Sequence, residues 1–206
     1  MKEEKFLFFA VILCIIITII YIFQLLYPSL TGDFLLNSSL LASRPWTIVT
    51  AIFLHGSTTH LLSNLFALGI FGLLLERIIG SKKFLVIFFA TGIVANIFAA
   101  AFYSSSLGAS GAIFGIIGVL TVLRPKMAVW AFGVPMPMFI ASVFWFVLDL
   151  AGVFFPSDVA NMAHIFGLAA GLAIGLAFKK KYREEVAVKG RVTSDQELDR
   201  WEKEYM

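Results

Sequence analysis

Four polar residues suited to acyl transfer lie within or beside long apolar segments of the chain. They are His60, Asn64, Ser110 and His164. A serine hydroxyl can attack a carbonyl carbon when a histidine takes its proton, and N–H groups nearby can stabilise the oxyanion that results. Polar groups in hydrocarbon are costly and usually functional. These four residues are therefore the first candidates for an active site.

The apolar segments that must position these residues are long enough to cross a bilayer. The chain is 60% hydrophobic with a mean hydropathy of +0.92, far more apolar than a soluble domain of this size. Runs of about 18 or more apolar residues match roughly 30 Å of hydrocarbon. Six helices are predicted, at residues 6–27, about 59–79, 84–103, about 109–123, about 128–155 and 159–178, of which the fourth is short. Because alternating strand patterns are absent, we expect an all-α integral membrane protein with a six-helix bundle.

Lysine and arginine are concentrated in alternate connecting segments, which predicts the segments that face the cytoplasm. The basic segments are residues 1–5, 77–83 and 124–126 and a charged tail at 179–206. Both termini are therefore expected in the cytoplasm, with the second, fourth and sixth helices all running inward. The first external segment, residues 28–58, is apolar enough to lie in the membrane interface.

The candidate residues are expected at one depth in the membrane. At 1.5 Å per residue above the cytoplasmic ends of their helices, Ser110 lies at about 21 Å and His164 at about 22 Å. His60 and Asn64 bracket this level on the second helix, four residues apart on one face. In hydrocarbon about 30 Å thick, that plane is roughly 10 Å below the outer surface, where a cavity could admit water.

Local sequence supports an active site at this depth. Ser110 opens a short helix, whose first backbone N–H groups have no helical partners and can bind an oxyanion. The fourth helix contains Gly111-x-x-x-Gly115 and the sixth contains Gly167-x-x-x-Gly171. Such spacings let helix backbones approach closely, as a hydrogen bond between Ser110 and His164 requires.

Three segments of the chain contain the four candidate residues. They are His55-Gly-Ser-Thr-Thr-His60-Leu-Leu-Ser-Asn64, then Gly108-Ala-Ser110-Gly111-Ala-Ile-Phe114-Gly115, and finally Asn161-Met-Ala-His164-Ile-Phe-Gly167-Leu-Ala-Ala-Gly171. These segments resemble the rhomboid family of intramembrane serine proteases, and their order on the second, fourth and sixth predicted helices makes the resemblance specific. It extends over roughly residues 40–178, which is most of the chain.

The resemblance implies a Ser–His dyad without an acidic third member. Ser110 would be the nucleophile and His164 the base, with His60, Asn64 and the backbone N–H of Ser110 lining the oxyanion hole. Phe114 would stack on the histidine where many relatives have tyrosine. The substrates would be transmembrane segments of other membrane proteins, cleaved through an acyl-enzyme without a cofactor. The compact form favours the cell membrane of a prokaryote.

Three further residues receive other interpretations. His55 is expected near the surface, bonded to the first external segment. Asp149, in the predicted fifth helix, counts about 34 Å above Lys126, which places it at the hydrated outer interface. In keeping with the dyad that the resemblance implies, the sequence offers no obvious acidic third member. Glu76, at the cytoplasmic end of the second helix, is interpreted as structural.

Other functions remain open from sequence alone. An inactive relative would bind membrane proteins without cutting them, although such relatives generally lack the serine or the histidine. A transporter would be expected to show an inverted repeat, and none is evident. The three histidines could bind zinc, but the chain has no H-E-x-x-H motif, so no metal is expected. The net charge of +3 comes largely from loops and gives no support for a nucleic-acid partner.

Overall fold

A computed structural model describes residues 6–155 and 159–179, and these residues form a mainly helical bundle. Its helices, in chain order, are α1 (Phe9–Leu26), α2 (Ser29–Phe34), α3 (Thr47–Thr50), α4 (Thr58–Ile79), α5 (Ser81–Phe102), α6 (Ser110–Leu123), α7 (Met138–Gly152) and α8 (Asn161–Lys179). Helix α4 contains a π-helical segment at Leu68–Gly72, and 3₁₀ turns occur at Ser38–Leu40 and Ala51–Phe53. The predicted termini, residues 1–5 and 180–206, lie outside the described residues.

Four of the described helices are long and apolar enough to cross a membrane. They are α1, α4, α5 and α8, with 18 to 22 residues each. The mainly helical membrane class predicted from the sequence is therefore confirmed. Helices α6 and α7 are also apolar but have only 14 and 15 residues. Most of α6 is buried among the other helices, so protein surrounds this short helix on most sides.

The predicted fifth helix, at about 128–155, is wrong at its start. Residues 128–137 form an antiparallel hairpin of β3 (Ala128–Ala131) and β4 (Val134–Pro137), and α7 begins only at Met138. The hairpin turn contains Phe132 and Gly133, which both have positive φ.

The sequence of this hairpin explains why it is not helical. Pro135 and Pro137 lack the N–H groups that a helix interior needs, and each restricts the residue before it to extended backbone. Val129 and Ala131 are buried whereas Trp130 between them is exposed, which is the alternation of a strand. The expectation that no alternating pattern exists was therefore wrong as well.

Glu76 joins the first two long helices at one end of the bundle. Its side chain is fully buried and accepts hydrogen bonds from the backbone N–H groups of Phe9 and Ala10 at 2.9 and 3.0 Å. The same carboxylate accepts a 2.7 Å hydrogen bond from the Ser81 hydroxyl. Glu76 therefore caps the start of α1, where unpaired N–H groups favour a carboxylate.

The segment between α1 and α4 supports the loop that precedes Ser110. Strand β1 (Leu36–Asn37) pairs with β2 (Ser105–Ser106) of that loop. The backbone N–H of Gly108 donates to the carbonyl oxygen of Ala51 at 2.8 Å. Asn96 of α5 donates to the carbonyl oxygen of Ile48 at 2.7 Å, which ties the segment to the bundle. The loop is thus fixed on both sides where it leads into α6.

Candidate active site

Ser110 is the first residue of α6 and follows a tight turn. Gly108 has φ +123°, a conformation that residues with a Cβ rarely adopt, and a Cβ there would lie 2.7 Å from the His60 ring. Because glycine permits this turn, α6 begins within the bundle and the His60 ring lies directly beside the loop. The backbone N–H groups at the start of a helix have no partners within that helix.

Ser110 and His164 are in direct hydrogen-bond contact. The Oγ atom of Ser110 lies 2.8 Å from Nε2 of His164, which belongs to the first turn of α8. This distance is typical of a hydroxyl bonded to a ring nitrogen. The two residues are 54 positions apart in the chain, so the contact depends on how α6 and α8 pack.

Glycines bring the backbones of α6 and α8 into contact. A Cβ added at Gly167 would overlap the carbonyl oxygen of Gly111, and one added at Gly171 would overlap that of Gly115. The two helices therefore touch through their main chains, at positions one and two turns after His164 on α8. Gly111 also contacts α5, because a Cβ there would lie 2.5 Å from Ala95 Cβ. No residue larger than glycine fits these positions without moving a helix.

Phe114 packs flat against the candidate histidine. The two ring centroids are 4.3 Å apart and the planes differ by 7°. Phe114 lies one helical turn after Ser110, so α6 contributes both the hydroxyl at Nε2 and the apolar ring on the face of His164. This contact limits rotation of the imidazole out of the plane in which it meets Ser110.

His60 and Asn64 lie around the same cavity as Ser110 and His164. The cavity has a volume of about 920 Å³ and also contacts the loop that precedes α6. Ser57 caps α4 by accepting a 3.1 Å hydrogen bond from the His60 backbone N–H. The Asn64 side-chain amide donates one hydrogen bond, at 2.8 Å, to the carbonyl oxygen of His60. An amide has two N–H donors, so the second is available to another acceptor.

The structure corrects the prediction for Asp149. Its Oδ1 atom lies 2.8 Å from Nδ1 of His164, and the two side chains are 9% and 12% exposed. Asp149 is therefore not hydrated at the outer interface, and the expectation that no acidic residue lies near His164 was also wrong. The depth count began too early: from Met138, where α7 starts, Asp149 is only about 16 Å along the helix. Two prolines before Met138 were the sequence signal for the later start.

The structure also differs from the prediction for His55. This residue is 2% exposed, and its ring nitrogens have no hydrogen-bond partner among the described residues. Its backbone is held by the side chain of Gln24, and its ring lies edge-on to His60 with centroids 4.9 Å apart. Burial lowers the pKa of His55 to about 4, and the neighbouring His60 adds to this effect. The ring is therefore buried against His60 and is not exposed at the surface.

Acidic, histidine and cysteine side chains are too dispersed in the described part of the chain to suggest a metal centre. Within residues 6–155 and 159–179, no group of three or more of them could hold a metal ion. Beside the cavity, a hydroxyl, an imidazole and a carboxylate meet in a row. This arrangement is suited to activating the hydroxyl as a nucleophile.

Comparison with known proteins finds one family model and several relatives that match most of the chain. The model of the Rhomboid domain family matches residues 42–181. A protein named putative rhomboid protease YdcA, from Bacillus subtilis, is 33% identical over 147 residues, which are 67% of this chain and 70% of that protein. Rhomboid protease GluP of the same organism is 36% identical over 150 residues, which are 68% of this chain and 28% of that protein. RHOMBOID-like protein 6, mitochondrial, from Arabidopsis thaliana, is 33% identical over 133 residues, which are 63% of this chain and 42% of that protein.

Proposed function

The chain belongs to the rhomboid family, and from this premise we propose that it is an intramembrane serine endopeptidase that cleaves transmembrane segments of other membrane proteins. The observation that carries the proposal is the 2.8 Å contact between Ser110 Oγ and His164 Nε2 beside a cavity within the bundle. Relatives named as rhomboid proteases match about two thirds of the chain, at 33% and 36% identity.

Acylation begins when Ser110 Oγ attacks the carbonyl carbon of the scissile peptide bond. As the Oγ–C bond forms, His164 Nε2 takes the hydroxyl proton and the carbonyl π electrons move to the oxygen. When this tetrahedral intermediate collapses, the C–N bond breaks and the leaving amine takes the proton from His164. The N-terminal part of the substrate remains as an ester on Ser110.

Water then releases the product from Ser110. A water molecule gives a proton to His164 Nε2 as its oxygen attacks the ester carbon. The second tetrahedral intermediate breaks the C–Oγ bond, and the proton on Nε2 returns to Oγ. Each cycle thus consumes one water and regenerates the Ser110 hydroxyl and neutral His164.

Three donors are suited to the oxyanion that forms in both steps. The first is the backbone N–H of Ser110 at the start of α6, which has no partner within the helix. His60 lies beside the Gly108 turn, and Asn64 has a second amide proton beyond the one bonded to the His60 carbonyl. Donors fixed before the reaction stabilise developing charge because they need little reorganisation.

We further propose that all six apolar helices cross the bilayer: α1, α4, α5, α6, α7 and α8. Residues 1–5 and 179–206 would then lie in the cytoplasm, with residues 28–58 in the outer interface. The distribution of Lys and Arg supports this orientation, and the burial of α6 explains how a 14-residue helix can take part. Bacterial relatives favour the cell membrane of a prokaryote.

Topology can be tested by cysteine labelling of intact cells. In a Cys14→Ala background, which lacks the chain's only cysteine, we expect a membrane-impermeant maleimide to label Ser39→Cys. Lys82→Cys should become labelled only after the membrane is opened. Labelling of both variants to the same extent in intact cells would contradict the proposed orientation.

Proteolysis can be tested with a reporter transmembrane segment in liposomes. We expect the wild type to cleave the reporter and Ser110→Ala and His164→Ala to lose cleavage. Ser63→Ala is the matched control, because Ser63 lies around the same cavity and has no proposed role. Cleavage by Ser110→Ala at the wild-type rate would refute the proposal. Stable binding of reporters by a folded wild type that cuts none of them would instead favour a client-binding protein.

A further inference from the structure

Asp149 occupies an unfavourable position for a carboxylate. It is 7% exposed and lies within three residues of the end of α7, an apolar helix. A carboxylate inside a membrane bundle is costly. The carbonyl groups at a helix C-terminus carry partial negative charge, which also disfavours an acidic side chain. A residue in such a position needs a specific interaction to offset these costs, and the structure pairs it with His164.

Both ring nitrogens of His164 have a hydrogen-bond partner, and the two partners belong to different helices. Asp149 of α7 lies 2.8 Å from Nδ1, and Ser110 of α6 lies 2.8 Å from Nε2. Phe114 covers one face of the ring. The imidazole is thus fixed in position and in rotation, with the carboxylate and the hydroxyl on opposite edges.

Protonation of the ring decides whether His164 can act as a base. Nε2 can take the Ser110 proton only when the single proton of the neutral imidazole is on Nδ1. An ionised carboxylate has no proton to donate, so it accepts a hydrogen bond from Nδ1–H and favours this tautomer.

We propose that Asp149 is a positioning residue that completes a Ser110–His164–Asp149 triad. The inference rests on the proposed protease function and differs from the dyad that the family resemblance implies. Asp149 holds Nδ1–H throughout the reaction. When the Ser110 proton moves to Nε2, the carboxylate stabilises the positive imidazolium, and no proton moves to Asp149. A purely structural bond between α7 and α8 would give the same static contact. A positioning role is distinguished from a structural one by measuring kcat and KM and by finding which ring nitrogen of His164 carries the proton.

Asp149→Asn is the informative substitution because it keeps the shape of the side chain and removes its charge. An amide can accept from Nδ1–H or donate to a bare Nδ1, so it no longer selects one tautomer. We expect kcat to fall by about 10³-fold or more while KM changes by less than about twofold. Asp149→Glu, which keeps the carboxylate, should restore part of the lost kcat.

Ser142→Ala is the matched control. Ser142 lies two turns earlier on α7, is 5% exposed and makes a 2.9 Å hydrogen bond to the carbonyl oxygen of Phe139 in its own helix. Its loss removes a buried polar contact from α7 without touching His164. Wild-type kcat in this variant together with a large loss in Asp149→Asn supports the triad. Equal kcat values in the two variants would overturn it.

Nitrogen NMR of protein labelled with ¹⁵N-histidine supplies a second readout that does not depend on turnover. The chain has three histidines, and His164→Ala identifies the signals of His164. We expect a proton on Nδ1 and a bare Nε2 in the wild type, with the Nε2–H form increasing in Asp149→Asn. A wild-type His164 protonated on Nε2 would refute the inference, even if Asp149→Asn failed to fold. A wild type with the expected tautomer but no protease activity would refute the proposed function instead.

Discussion

Substitution of Gly167 by alanine tests how the two reactive residues are brought together. Gly167 lies three residues after His164, and its Cα faces the carbonyl oxygen of Gly111, the residue after Ser110. An added Cβ would overlap that oxygen, so α6 and α8 must separate by about 1 Å at the level of the site. The Ser110–His164 distance starts at 2.8 Å. A separation of about 1 Å takes it beyond the range of a hydrogen bond.

Misplacement of this size has a large effect on reactivity. A shift of about 1 Å between catalytic groups can cost on the order of 10²-fold in rate. We therefore expect Gly167→Ala to react with a fluorophosphonate probe about 100-fold more slowly than the wild type. Overpacking should also lower the free energy of unfolding by about 1–3 kcal/mol. Labelling kinetics and thermal unfolding of the purified protein measure the two effects.

Gly69→Ala is the matched control for this substitution. A Cβ at Gly69 would meet no atom within 4 Å, so the same chemical change creates no overlap. We expect this variant to label at nearly the wild-type rate. If folded Gly167→Ala also labelled at the wild-type rate, the close contact between α6 and α8 would not be what sets the geometry of Ser110 and His164.

Four further substitutions, at three positions, test the contacts of Phe114, Glu76 and His55. Phe114→Leu should slow probe labelling about fivefold to tenfold, because an aromatic stack contributes about 1 kcal/mol. Phe114→Tyr keeps the ring and should label at the wild-type rate. Equal labelling rates in the two variants would contradict a role for the ring. Glu76→Gln should lower the free energy of unfolding by about 2 kcal/mol, because the amide cannot accept all three hydrogen bonds that the carboxylate accepts. An unchanged melting temperature would argue that Glu76 does not stabilise the start of α1. His55 has a pKa of about 4 when folded and its ordinary value when unfolded. The unfolded state therefore takes up a proton as the pH falls from 7 to 5, and stability should drop by about 2 kcal/mol in the wild type. In His55→Gln this contribution of about 2 kcal/mol should be absent. Equal losses of stability in the variant and the wild type would show that His55 is not its source.

The sequence predicted the elements whose signals are local and repeated. Long apolar runs predicted the membrane-spanning class, and the position of Ser110 at a helix start followed from the short fourth run. The spacing of glycines predicted that two helices would touch. These features depend on hydrophobic length and on side-chain size, which can be read from neighbouring positions.

The main wrong prediction concerns the segment before α7, and the wrong position of Asp149 followed from it. Residues 128–137 are apolar, so composition joined them to the following helix, although the two prolines made a hairpin more favourable. The same error moved Asp149 away from the depth of Ser110. Its contact with His164 joins residues 15 positions apart on two helices, and no local pattern encodes such a contact. His55 is buried against His60, and this packing likewise leaves no local sequence signal.

The most direct test of the account is to find which residue a fluorophosphonate modifies, by mass spectrometry of the intact protein and its peptides. We predict one adduct on the wild type, located on Ser110, and the same adduct on Ser63→Ala. Ser110→Ala should carry none, and His164→Ala should carry little because its serine lacks the base. An adduct on another residue, or equal modification of Ser110→Ala and the wild type, would contradict the claim that His164 activates Ser110.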